Sequence, residues 1–220
     1  MKKYILILTI FFFSTTTTIA QINELGVFLG GSNYIGDIGS TYYIFPNNYA
    51  VGGIYKWNMH PRFSLRATYT YAKVSGDDAK SGNSFREYRN LYFSNSVHEV
   101  AAGIEFNFFK YNLSKIGHTN TPYIIVEAAI SNYDTREKGR TFNYTMPFGL
   151  GYKMRLANNV GIALETSFRY TFKDDIDGYY PIEDDFGNII NNSSGNDWYV
   201  FTGITVVYAF GREGCYTGKF

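Results

Sequence analysis

Few residues of this 220-residue chain are of a type that could do chemistry, and their spacing scatters them. An enzyme built on a strand scaffold should leave a histidine with acid or serine partners near one rim. The three histidines do not converge in that way. On the strand assignment given below, His60 and His118 fall in separate turns at one end, while His98 sits near the other end on an apolar-facing register. Asp174, Asp175, Asp177, Glu183, Asp184 and Asp185 form an oxygen-rich stretch of the kind that suits calcium, but their spacing does not follow the EF-hand pattern. A solvated acidic loop is the expectation, with no metal site. The run GGSNYIGDIG at 30–39 lacks the GK[ST] ending of a phosphate cradle. Its glycines read instead as close strand packing and the loop that follows. No cofactor, catalytic residue or small-molecule substrate is therefore assigned.

The one chemically distinctive side chain left is Cys215, the only cysteine, in the terminal stretch GREGCYTGKF. In an oxidising compartment an unpaired cysteine suggests an intermolecular disulfide or a reactive thiol, with an unused thiol near a chain end as the plain alternative.

The compartment follows from the other terminus. Lys2 and Lys3 precede an apolar run from Tyr4 to Phe13 and a Ser/Thr stretch ending in Ile19 and Ala20. This is the pattern of a secretory signal cleaved after Ala20, too short to span a bilayer as a helix. No cysteine follows the small residues, so no lipoprotein start is expected. The chain carries 20 basic and 19 acidic residues; without the two leader lysines its net charge is −1. That balance gives no basic field for phosphates, which excludes nucleic acid as a partner.

The elements that must position these residues read as strands. Aromatic and β-branched residues alternate with small or charged ones over eight segments, roughly 23–31, 49–58, 62–73, 95–109, 122–133, 142–156, 159–173 and 197–210. Most reach the 9 to 11 residues that a tilted strand needs to cross a bilayer. Short turns around Asn58–Pro61 and Ala157–Asn159 stand against longer links after strands one, three and seven. An even strand number with that asymmetry predicts an eight-stranded antiparallel up-and-down transmembrane β-barrel over residues 21–210, with both ends and a tail, 211–220, on the periplasmic side.

Composition read by face supports lipid over water. The chain is 19% aromatic and 18% charged, with 21 Tyr and 19 Phe. A soluble lipocalin-like barrel should show frequent Lys and Glu on its outer face. Here the large rings, among them Tyr55, Trp57, Phe63, Tyr69, Phe106, Tyr152, Phe168, Trp198 and Tyr208, share one face and gather towards strand ends. The opposite face is small residues punctuated by Arg66, Glu99, Glu105, Glu127, Lys153, Arg155, Glu165 and Arg169, both signs, as expected of pairs filling a narrow barrel. Such an interior leaves no wide pore.

Three stretches carry a resemblance: ELGVFLGGSNYIGDIGS at 24–40, YKWNMHPRFSLRATYTYAKVSGDDA at 55–79 and GREGCY at 211–216. Together they resemble the PorG family, small outer-membrane barrels of the type IX secretion system of Bacteroidota. The resemblance implies a non-enzymatic component of a protein export machine, attached to a periplasmic ring of a PorK-like lipoprotein and a PorN-like protein, with outer-membrane lipid around it. It further implies that Cys215 corresponds to the family's tail cysteine, for which a disulfide to the lipoprotein is the role carried across. PorT-like barrels of the same system are the near alternative. A surface adhesin is another, and it would use the loops 32–48, 74–94 and 174–196.

Overall fold

The computed structural model describes residues 22–111, 113, 120–135, 139–178 and 195–211. The expected leader, His118, Glu183 to Asp185 and Cys215 lie outside the described residues. Eight strands follow in order: β1 (Ile22–Ile35), β2 (Asn48–His60), β3 (Phe63–Asp77), β4 (Tyr92–Asn107), β5 (Asn120–Thr135), β6 (Gly139–Ala157), β7 (Val160–Thr171) and β8 (Trp198–Gly211). Each pairs antiparallel with the next, and β8 closes on β1 through a register from Ile22↔Gly211 to Ile35↔Trp198. The eight-stranded up-and-down barrel expected from the sequence is the observed fold.

The period-two pattern dictates the two faces. On β3, Ser64, Arg66, Thr68 and Thr70 are buried, while Phe63, Leu65 and Tyr69 are exposed. Outward positions on other strands are also large and apolar, including Leu25, Val27 and Leu29 on β1, Val100 and Ile104 on β4, and Leu150 on β6. The fold thus turns an ordinary protein inside out: Glu, Lys and Arg are buried and Leu and Tyr are exposed. Narrowness is set partly by glycine. A Cβ on Gly30 would lie 2.4 Å from the Thr202 carbonyl oxygen and 2.7 Å from the Cα of its register partner Gly203, and the Phe28 ring covers both from within.

Several strands outrun the alternation that identified them. β1 continues to Ile35 rather than ending near 31, β3 to Asp77 rather than 73, and β4 starts at Tyr92 rather than 95. β8 also takes in Gly211, which the sequence reading placed in the tail. The outward residues of the extensions are Ser75 and Asp77 on β3 and Tyr92 and Ser94 on β4, mostly polar, so an apolar-facing rule stops short of them. A ladder above the bilayer needs only its backbone bonds, so polar side chains do not end it. The link 78–91 is not an irregular loop either. It holds a 3₁₀ turn (Asp78–Lys80) and helix α1 (Ser84–Arg89), started by Asn83, which accepts from the Phe85 and Arg86 amides, and stopped by Asn90 at φ 51°.

The short turns fall close to where expected, but β2 runs on through Asn58, Met59 and His60, so His60 ends a strand instead of lying in the turn. Pro61 and Arg62 join β2 to β3, and Asn159, at φ 63°, joins β6 to β7 with its amide donating to the Ala209 carbonyl.

Candidate functional site

The interior is the best-defined polar constellation. Arg66 sits at its centre, with both terminal nitrogens on Glu165 at 2.5 and 2.8 Å and its Nε 3.4 Å from Glu127. Glu105 takes Lys56 at 2.7 Å and Lys153 as a second partner, while the Tyr123 hydroxyl donates to Glu165 at 2.8 Å. Higher in the barrel Arg169 reaches Glu99 at 3.2 Å and stacks over Phe201 at 3.9 Å; Tyr199 donates to Glu99 at 2.6 Å. The expected interior charges thus do pair, and Arg155 lies on the same inward register, half-buried. Glu24 and Lys56 belong to this set and were missed, although their places between outward Leu25 and Tyr55 put both on the inward register. Buried charges of both signs, each near an opposite one, offset part of one another's desolvation cost in the lumen.

Both mouths are closed as well. At the end with short turns, Tyr111 and Leu113 pack with Ile22, Val207 and Ala209, and the Tyr111 ring lies under the Lys153 ammonium at 4.7 Å. Burial raises the Tyr111 hydroxyl well above the usual phenol range. At the opposite mouth Ile176, 1% exposed, drops from the loop after β7 into a core with Tyr34, Ile38 and Phe93. Tyr34 donates to Asp197 and, at 3.1 Å, to Asp177, and Asp197 also accepts the Ile176 amide at 2.9 Å. Burial, with Asp177 close by, raises the Asp197 carboxyl well above the usual carboxylate range. The acidic stretch is therefore partly built into the plug. Among the described residues no group of three or more His, Cys, Asp or Glu side chains could hold a metal.

Two loops are laced together over this plug. Arg86 donates to the carbonyls of Gly36 and Gly39, Arg89 to that of Asp37, and Arg89 also pairs with Asp78 at 2.8 Å. Asp78 in turn accepts the amides of Gly39 and Leu91. Burial pushes the Asp78 carboxyl up, but Arg89 and those amides outweigh it and hold it below the usual carboxylate range. Gly39 is at φ +92°, where a side chain would be strained, and its missing Cβ lets it approach Gly76.

The outer wall carries the other candidate surface. Rings cluster near both ends, with Phe63, Phe106 and Phe108 at 5.0 and 5.5 Å centroid spacing at the short-turn end, and Tyr170, Phe172 and Trp198 at 5.2 and 4.9 Å at the other. Between them lie exposed Leu, Val and Ile. His98 faces outward beside the Tyr69 and Tyr71 rings, 2.9 Å from the Tyr69 hydroxyl. A closed barrel with an apolar band between two aromatic girdles satisfies every backbone group internally and belongs in a bilayer. This protein is a closed transmembrane β-barrel, with its short turns at one rim and its long loops at the other.

Among solved structures the chain is similar to the N-terminal β-barrel domain of Pseudomonas aeruginosa OprF (TM-score 0.45, 12% identity, covering 87% of this chain and 98% of that one). It is also similar to Ail of Yersinia pestis (TM-score 0.44, 9% identity, 87% and 99%) and to Neisserial surface protein A (TM-score 0.43, 9% identity, 87% and 96%). No curated protein matches. A family match runs from residue 2 to residue 219, and by it the chain belongs to the family described as a domain of unknown function, DUF6089.

Proposed function

We propose that this barrel is a non-enzymatic component of the type IX protein secretion system that anchors or stabilises a periplasmic ring of PorK-like and PorN-like proteins. The observation that carries the reading is the lumen, which is filled by ion pairs and covered at both mouths, so the barrel offers mechanical hold in the membrane in place of a path through it. The strand ends are consistent with it: Ile22 and Gly211 are register partners at the short-turn rim, the rim this reading assigns to the periplasm.

Affinity purification of the tagged barrel from detergent-solubilised membranes tests the proposal. Ring proteins should co-purify, and on a non-reducing gel a heavier species should disappear in Cys215→Ser. Recovery of the barrel alone, under conditions that keep the ring intact, would contradict the anchor. A second reading, a surface-binding barrel, draws on the polar extensions of β3 and β4 that stand clear of the apolar band. It requires that loss of α1 and its flanks abolish surface binding while secretion continues.

A further inference from the structure

β4 and β5 part before their ends. Their ladder runs from Asn107↔Tyr123 to His98↔Asn132 and stops there, although β4 continues to Tyr92 and β5 to Thr135. Above the fork a side chain replaces the backbone. Asn95 donates through Nδ2 to the Asp134 carbonyl at 2.7 Å and to the Ile176 carbonyl at 2.9 Å, and accepts the Asp134 amide on Oδ1 at 3.1 Å. The primary amide mimics the peptide group that an unbroken ladder would have offered. A cavity of about 690 Å³ lies at this fork, bounded outside by Tyr49, Tyr71, Lys73 and Ser96 and behind by Ile176 and Asp177 of the plug.

Its height and lining define what fits. Outward residues of β3 change from Tyr69 and Tyr71 to Lys73, Ser75 and Asp77 at this level, so the cavity opens sideways where the apolar wall gives way to the headgroup layer. Below it Tyr69, Val100 and Ile130 are register neighbours on the lipid face. Tyrosine rings beside hydroxyls offer flat apolar faces and hydrogen bonds together, the combination a sugar ring uses. One cation is placed for an anion: Lys73 lines the cavity, and its register partner Ser96 accepts from the Arg140 guanidinium at 2.6 Å. Lys73 makes no side-chain ion pair or hydrogen bond among the described residues. The carboxylates at the cavity are engaged: Asp134 by Arg140 at 3.5 Å and Asp177 by Tyr34.

We propose that this lateral window binds the phosphorylated sugar headgroup of an outer-leaflet glycolipid, its acyl chains lying down the wall over Tyr69, Val100 and Ile130. The sugar stacks on Tyr71 and Tyr49, and Lys73 takes the phosphate. A cavity this large is poorly matched to a bare phosphate, and its sideways opening at headgroup height selects a lipid-borne ligand.

Native mass spectrometry of the full-length barrel in mixed micelles provides the test, with lipopolysaccharide, its dephosphorylated form and phosphatidylglycerol offered in turn. The expected result is one lipopolysaccharide retained per barrel, with occupancy reduced about tenfold or more in Lys73→Gln, as for loss of one charged hydrogen bond. Dephosphorylation should reproduce that loss in the unaltered protein, and Tyr71→Ala should weaken binding of both forms. Thr166→Ala, on another stretch of the lipid face, should leave occupancy unchanged, and heat-modifiable migration on gels shows that each variant is folded. Equal retention of phosphatidylglycerol, wild-type occupancy in Lys73→Gln and Tyr71→Ala, or full competition by free glucosamine phosphate would each overturn the proposal.

Discussion

At the residue scale, Arg66 does more than any other side chain to make a charged interior tolerable. It faces Glu165, Glu127 and Glu105 at once, from 2.5 to 3.5 Å. Arg66→Met should therefore leave a surplus of buried carboxylate and destabilise the barrel by about 3 to 5 kcal/mol, the usual cost of breaking a buried pair from one side. Glu127 makes the contrast, because neither of its oxygens has a hydrogen-bond partner. Glu127→Gln removes a charge without orphaning a bonded donor and should change stability by no more than about 1 kcal/mol. Urea unfolding of the barrel in detergent micelles, followed by gel migration, measures both. The sequence made this set legible in part. Arg66, Glu105, Lys153 and Glu165 stand out because a charge on a strand face otherwise occupied by Gly, Ala, Ser and Thr has few places to go. Which acid meets which base was not legible, since pairing depends on stagger around the barrel: Arg66 on β3 meets Glu165 on β7 across the lumen.

At the element scale, the long loops form a lid of two parts that respond to pH in opposite directions. The lacing of α1 to the loop after β1 runs through Asp78, whose folded carboxyl titrates below its unfolded value of about 3.9. Its stabilisation is complete above that value and lost as pH falls through the folded one. Asp197 has the opposite shift, so the contribution of its protonated form is present below about pH 3.9 and lost as pH rises through its raised folded value. Hydrogen exchange, corrected for intrinsic rates, should show the amides of 36–39 and 85–91 losing protection on acidification from pH 7 to pH 3. Those of 174–178 should hold or gain it. A uniform response of both segments would contradict the separate roles of Asp78 and Asp197. These elements were hidden from sequence reading because their order is non-local: Ile176 sits in a run of aspartates, and residues distant in sequence, Tyr34, Ile38 and Phe93 among them, give it a core to enter. Strand existence was legible from period two, whereas strand ends in the extensions were not, because there the outward residues turn polar while Val74 and Phe93 still pack inward. The β4 and β5 fork was equally invisible, since nothing local to Asn95 distinguishes a side chain that replaces a peptide bond.

At the scale of the whole molecule, one inversion accounts for composition, fold and closure. Rings and aliphatic side chains face lipid, charges pair inside, and eight strands leave a bore that Arg, Lys, Glu and Tyr side chains fill. Outward substitutions at mid-band should follow from the same arrangement. Val100→Arg or Leu150→Arg should destabilise the bilayer-inserted barrel by about 2 to 4 kcal/mol, while Ser75→Arg, on the extension above the band, should cost about 1 kcal/mol or less. Folding into lipid vesicles across a urea series separates these outcomes. That the barrel is plugged and not a pore is tested most directly by electrical recording of the purified protein in a planar lipid bilayer. The account predicts a baseline indistinguishable from protein-free membrane in molar salt; reproducible ohmic steps from the intact barrel would contradict it.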